Sequence, residues 1–304
     1  MTGTPVGTDQ RASTTYYDRP VIKEPVWTWE VPAYFYAGGV AAGSALLAAV
    51  AGAIDGDDHE GLVRRARVVA AAGSLSGTGL LIMDLGRPGR FLNMLRVFKP
   101  SSPLNMGSWI LSAAATFSAA SVAFARRGPR LGDLAGLAAG AAALPLSSYT
   151  AVLLADTVVP VWQQSRRALP LLFAASSGSS AASILQMTAV TEHEAVTLRR
   201  FGTAMELAEL VAGMALEREA GRVERVARPL EEGPSGTLWK SSKWLTIASL
   251  AVGAVAGRSR AGRIVGGVLG TAGSLALRYS VFLAGKASAR DPRATFELQR
   301  ASRK

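Results

Sequence analysis

The stretch VPAYFYAGGVAAGSALLAAVAGAI, Val31 to Ile54, contains no acidic or basic side chain. A helix needs about 20 consecutive apolar residues to cross the hydrocarbon layer of a bilayer, and this run supplies them. Met106 to Ala125 and Leu134 to Ala155 likewise carry no lysine or arginine. Glycine, alanine and serine dominate these runs. Such composition belongs where helices approach closely in lipid, because no hydrophobic force separates helix from tail there and close packing must hold the bundle. Gly39 and Gly43 in the first run, and Gly262, Gly266 and Gly270 near the C-terminus, recur every four residues and so share one helical face.

Extending this reading along the chain gives helices at Val31 to Ile54, Ala66 to Asp84, Asn105 to Ala125, Leu131 to Ala155, Ala168 to Val190, Ala195 to Leu216, Trp239 to Gly257 and Gly262 to Ala284. The expected fold is all-α, a polytopic transmembrane bundle of about eight helices over residues 31–284. A polar N-terminal tail (1–30) precedes it and a basic C-terminal tail (285–304) follows. The sixth helix holds Arg199, Arg200, Glu206 and Glu209, so a soluble amphipathic helix is an alternative there. Residues 1–30 lack the basic-then-apolar order of a secretory signal. After Asp84, the element DLGRPGR ends a helix with Gly and Pro, and Phe91 to Lys99 reads as a short amphipathic helix lying in the interface. Glu217 to Ser242 reads as a solvated connector, from its mixed charges and its Pro and Gly.

Charge distribution orients the bundle. Eight crossings put both termini on one side, and that side with its connectors carries roughly twice as many Lys and Arg as the other. The expected location is the cell membrane with cytoplasmic termini. The net charge of +11 is spread over connectors and the tail, which fits anionic lipid and not a nucleic-acid-binding face. With no cysteine, the chain has no thiolate for an iron–sulfur cluster. Its two histidines, His59 and His193, stand in acidic connectors and read as solvated loop residues, so neither haem nor a bound metal is expected.

Starts of odd helices and ends of even helices meet at one membrane face. Gathered there are Trp27, Trp29, Glu30 and Tyr34, then Asp84, then Asn105, Ser108 and Trp109, then Tyr149, Thr150 and Asp156. The plain account of such residues is an aromatic belt with helix caps: Asn105 as a cap, Asp84 paired with Arg87. Taken as a cluster they suit a quinone headgroup, which needs hydrogen-bond partners at two carbonyls, an apolar channel and proton exchange. On that reading Trp29, Glu30, Tyr34 and Tyr149 bind quinone. Asp84 and Asp156 exchange protons with nearby water. Glu206 and Glu209, one turn apart, form an internal proton route, or else face a polar interior or pair with Arg199 or Arg200.

The segments WTW (Trp27 to Trp29), YFYAGGVAAG (Tyr34 to Gly43), DLGRP (Asp84 to Pro88), NMGSW (Asn105 to Trp109) and SYTAVLL (Ser148 to Leu154) resemble, in order and spacing, the NrfD-like family of polysulfide reductase membrane subunits. The resemblance spans most of the chain and implies an eight-helix, haem-free subunit. Such a subunit exchanges electrons between a quinone, menaquinone or ubiquinone, and a separate iron–sulfur protein that serves a catalytic subunit, often a molybdenum enzyme. It places the quinone pocket in the Trp29 to Tyr34 region and at Tyr149, where Glu30 departs from members that use histidine. Arg87, Arg90, Asn105 and Trp109 are then expected at the partner-docking surface. With the termini inside, formate dehydrogenase is the expected partner complex. Two other classes fit the same residues: a transporter or proton channel built on Glu206, Glu209 and Arg278, and a purely structural anchor.

Overall fold

A computed structural model describes residues 21–301 apart from 56, 57, 88 and 189. The polar tail before residue 21 and residues 302–304 lie outside the described residues. The helices are α1 (Glu30–Asp55), α2 (Glu60–Asp84), α3 (Gly89–Leu95), α4 (Pro103–Phe124), α5 (Pro129–Ala155), α6 (Pro160–Gln164), α7 (Ala168–Gln186), α8 (Glu192–Ala220), α9 (Glu224–Glu231), α10 (Gly233–Ala256), α11 (Arg260–Arg290) and α12 (Pro292–Ala301). The eight long ones correspond to the eight read from the sequence. Proline opens several of them: Pro103, Pro129 and Pro160 stand in the first turn of α4, α5 and α6, where a missing N–H costs nothing. Gly86 closes α2 and Gly233 separates α9 from α10, both at positive φ that a side chain resists. At the start of α8, Thr191 and Glu194 form a reciprocal capping box.

Six helices, α1, α2, α4, α5, α7 and α11, are long and apolar enough to cross a membrane, which makes this a multi-pass membrane protein. The other two long helices, α8 and α10, are too polar to qualify on composition, and the reason is visible in where their side chains go. Glu206, Glu209, Thr246 and Ser249 are buried, while Leu207, Val211, Met214, Trp244 and Ile247 face outward. The polar residues that weaken the sequence signal belong to the inside of the bundle.

The bundle has two halves joined by α7. On one side α1 packs on α2 and α5, and α4 packs on both α2 and α5; on the other, α7 packs on α8 and α11, and α10 on α11. The central stretch of α7, Ala175 to Ser183, is buried along its whole length. Only small side chains could occupy a helix enclosed on every face. Serines of this stretch return their hydroxyls to the helix itself, Ser177 to the Phe173 carbonyl at 2.8 Å and Ser183 to the Ser179 carbonyl at 2.8 Å, which gives those donors a partner in a low dielectric.

Short elements fill the connections. As expected, α3 lies after α2 as a short helix with Leu92 exposed and Phe91 buried. The stretch Glu217 to Ser242 is not a solvated connector: α8 runs on to Ala220, α9 and α10 follow almost at once, and Val223, Val226, Ala227 and Leu230 are buried. Its charges line one side of α9 while the apolar residues close the end of the bundle.

The α1–α7 seam is tight, since a Cβ at Gly43 would fall on the Ser177 carbonyl. Gly43→Val is expected to destabilise the bundle by about 1–3 kcal/mol through overpacking. Gly79→Ala, with open space around its Cβ position, is expected to be neutral or to gain up to about 1 kcal/mol from helix propensity. Thermal unfolding of both variants in detergent, followed by fluorescence-detected gel filtration, measures the contrast.

Candidate functional site

The face that carries both termini collects the starts of α1, α4, α7 and α10 and the ends of α2, α5, α8 and α11. At its rim the Trp29 ring is 56% exposed, and its carbonyl accepts a hydrogen bond from the Tyr279 hydroxyl at 3.2 Å. Thr28 donates to the Glu30 carboxylate. Glu30 in turn lies close enough to Asp84 and Tyr279 to act on both electrostatically. Two carboxylates and a phenol therefore share one polar corner where α1, α2 and α11 meet.

Beneath this corner Tyr34 and Tyr149 are buried beside one another. Tyr34 packs its ring against Gly38 and Gly77. Tyr149 lies so close to Gly107 that a Cβ there would overlap its ring, and its hydroxyl donates to the Pro103 carbonyl. That bond ties the end of α5 to the start of α4. To serve a ligand carbonyl, the hydroxyl has to exchange this partner. Asp156, by contrast, stands exposed after the end of α5 and joins neither group.

The four expected docking residues have different fates. Arg87 is exposed, Trp109 is partly exposed, and the side chain of Arg90 lies outside the described residues. Asn105 does not cap its own helix. Its amide donates to the Met94 carbonyl at 2.6 Å and the Val97 carbonyl at 2.9 Å, and its oxygen accepts from the Lys99 N–H at 2.7 Å. It thus secures the end of α3 to α4, and Trp109 adds a contact with Phe98 at 5.9 Å between ring centroids.

On the opposite side of α1, a second polar group is enclosed by α7, α8, α10 and α11. Glu209 accepts from Ser179 at 2.5 Å and Thr246 at 3.2 Å; Glu206 accepts from Ser249 at 2.6 Å. Arg278, 1% exposed, donates to the Phe173 carbonyl at 3.0 Å and to Ser177 at 3.3 Å, with its guanidinium carbon 3.9 Å from the centre of the Phe173 ring. Glu209 and Arg278 attract one another across this space. Neither glutamate turns to Arg199 or Arg200; both face the interior. Tyr34 and Tyr36, two residues apart and so about 200° apart around the helix, place α1 between the two groups, with Tyr36 toward Arg278.

A family model described as "Polysulphide reductase, NrfD" matches residues 20–288. The chain belongs to the NrfD family. Membership makes it a membrane subunit of the quinone-interacting oxidoreductase class. Among curated proteins, none matches this chain in sequence. The matched range ends within α11 and includes both polar groups of this NrfD-family chain.

Several residues at the face carried no sequence signal as a set. Residues before α1 form a strap: Glu24 accepts two bonds from Arg290, at 2.7 and 2.8 Å, and pairs with Lys286 at 3.3 Å. Lys286 donates to the Trp27 carbonyl at 3.2 Å, and Trp27 stacks on Trp162 at 6.2 Å. Trp162 is itself buried, donating to the Val281 carbonyl at 2.9 Å over Gly285. Only the lone tryptophan between two long apolar runs hinted at this.

At the other face the histidines are not both solvated. His59 is buried, sits 2.9 Å from the Thr197 hydroxyl, and its ring lies 4.9 Å from that of exposed His193. Both belong to the joint between the α1–α2 connection and the start of α8, where Arg65 also bonds Glu194 at 2.6 Å. The joint packs on a small buried cluster that includes Leu62 and Leu198.

The strap responds to pH. Hydrogen bonding to Arg290 and then Lys286 holds the Glu24 carboxyl below its ordinary value of 4.5. A depressed carboxyl stabilises the fold above its unfolded pKa, and that contribution is lost as pH falls through the lower folded value. The protection of residues 21–29 against deuterium exchange, taken relative to the intrinsic exchange rate at each pH, is therefore expected to be high at neutral pH and to fall as the pH drops below about 4.5. Glu24→Gln is expected to exchange fast at neutral pH already.

Proposed function

We propose that this chain passes electrons between a membrane quinone and the iron–sulfur partner subunit of a respiratory oxidoreductase, with a molybdenum-type catalytic subunit beyond it. The observation that carries the proposal is the convergence, on one face, of the Glu30–Asp84 corner above the buried Tyr34–Tyr149 pair. Hydroxyls and carboxyls are the donor set a quinone headgroup requires, and Gly107 lets the Tyr149 ring lie flush against α4. A bound quinone supplies two-electron, two-proton redox chemistry. The protein's own share is to orient and to handle protons. Tyr149, once released from the Pro103 carbonyl, donates to a ligand oxygen; Tyr34 excludes water from the apolar side; Glu30 and Asp84 exchange protons with the nearby aqueous phase. Menaquinone and ubiquinone both meet these requirements.

Arg87 and Trp109 border the same face and form the surface offered to the iron–sulfur subunit. The basic bias of this side supports cytoplasmic termini and a cytoplasmic hydrophilic arm, for which formate dehydrogenase is the preferred partner complex. Glu206 and Glu209, with Ser179, Thr246 and Ser249 between them, form a proton route inside the second half of the bundle. This second group also supports the competing assignment as a proton or solute transporter. Partners decide between them: mass spectrometry of what co-purifies with the tagged protein in mild detergent is expected to recover an iron–sulfur protein and a catalytic subunit, and recovery of no redox partner from intact complexes contradicts the proposal. In the purified complex, Tyr149→Phe is expected to lower quinone-linked turnover by about three- to tenfold, the worth of one hydrogen bond, while subunit stoichiometry stays unchanged. Unchanged turnover removes Tyr149 from the site.

A further inference from the structure

On the face opposite the termini, a cleft of about 1040 Å³ opens between the end of α1, the start of α2, the end of α4 and the start of α5. Four arginines, Arg64, Arg67, Arg126 and Arg127, line it together with Glu60 and Asp133, so cations outnumber anions by two. Arg67 is the deepest. Its side chain is 13% exposed and lies across Gly136, where a Cβ would stand 2.9 Å from the guanidinium. One of its nitrogens bonds Asp133 at 2.9 Å, and its buried Nε has no hydrogen-bond partner. Arg64, Arg126 and Arg127 are exposed around the mouth.

The other wall is apolar and made of small residues. Ala48, Ala49, Gly52 and Ala53 on α1 form a shallow trough, and exposed Ile54, Val68, Val122 and Leu137 continue it onto the outer surface of the bundle. The cleft thus stands where four helices leave the hydrocarbon layer, with guanidinium groups on its aqueous side and bare aliphatic surface on its lipid side. A soluble anion would use only the first half of that surface.

We infer that this cleft binds an anionic glycerophospholipid, its phosphate held by the arginines and an acyl chain laid along the alanine trough. Guanidinium groups match phosphate oxygens in fork geometry, and basic pockets between transmembrane helices hold acidic headgroups by this means. A zwitterionic lipid brings its own cation, which the excess positive charge of the cleft repels. The inference is independent of the quinone assignment, since it concerns the other face and another ligand.

Native mass spectrometry of the delipidated protein complex, titrated with phosphatidylglycerol or phosphatidylcholine in mild detergent, tests it. Phosphatidylglycerol is expected to bind at least tenfold more tightly. The triple variant Arg64→Gln/Arg126→Gln/Arg127→Gln spares the Arg67–Asp133 pair, so it keeps the fold, and it is expected to bind the two lipids equally. Arg200→Gln/Arg258→Gln/Arg260→Gln removes the same charge from exposed positions on the same side and is expected to retain the preference. Equal binding of both lipids by the unmodified chain, or the same loss in both triple variants, overturns the site. Competition by free glycerol 3-phosphate at concentrations similar to the lipid overturns the lipid as its ligand.

Discussion

Glu206, Glu209 and Arg278 lie inside a helical bundle where an unpaired charge costs several kcal/mol, and the arrangement of the second half of the molecule follows from satisfying them. Ser179 reaches Glu209 from α7, Thr246 reaches it from α10, Ser249 reaches Glu206, and the Phe173 carbonyl and ring hold Arg278 through one nitrogen and its face, while its Nε and Nη1 have no hydrogen-bond partner among the described residues. The partners come from α7 and α10 and the charges from α8 and α11, so the polar group fixes the relative rotation of these four helices. It also explains why α7 is built of serine, alanine and glycine. A helix enclosed by the Arg278 side chain on one flank and α1 on another has no space for larger residues, and its hydroxyls double as hydrogen-bond partners. Gly39 and Gly43 give α1 the matching thin edge, Gly39 against Arg278 and Gly43 against the backbone of Ser177.

The helix α1 then divides two chemistries. Tyr34 points toward Tyr149 and the carboxylates of the terminal face, while Tyr36 and Gly39 border the guanidinium. Phe35 and Phe173, 6.1 Å apart edge to face, join the two sides mechanically, because Phe173 is also the ring beneath Arg278. A shift of α1 at the terminal face is therefore felt at the polar interior through packed side chains and a shared backbone.

Much of this was legible in sequence because lipid imposes long, uninterrupted apolar helices, and charge-free runs such as Val31 to Ile54 have no other use. The motifs around Trp27, Asp84, Asn105 and Tyr149 placed the candidate residues at one face through helix alternation alone. Partner identity was less accessible. Asn105 looked like a helix cap or a docking residue, yet it fastens the interfacial α3, a choice set by the path of the chain between Met94 and Lys99. The Glu24–Arg290 strap joins residues more than 260 positions apart, and no local pattern encodes such a pairing. The connector before α10 misled for a different reason: its charges are real, but they occupy one side of α9 while Val226 and Leu230 occupy the other.

Most directly at stake is whether a quinone enters between α1 and α5 at the terminal face. Photo-crosslinking of the membrane-embedded complex with an azido-quinone, followed by peptide mapping, locates the headgroup without relying on turnover. Label confined to peptides containing Trp29 to Tyr34 and Tyr149, and displaced by excess unlabelled quinone, is the predicted result. Displaceable label on α8 and α10 around Glu206 and Thr246, with none near Tyr149, contradicts the account.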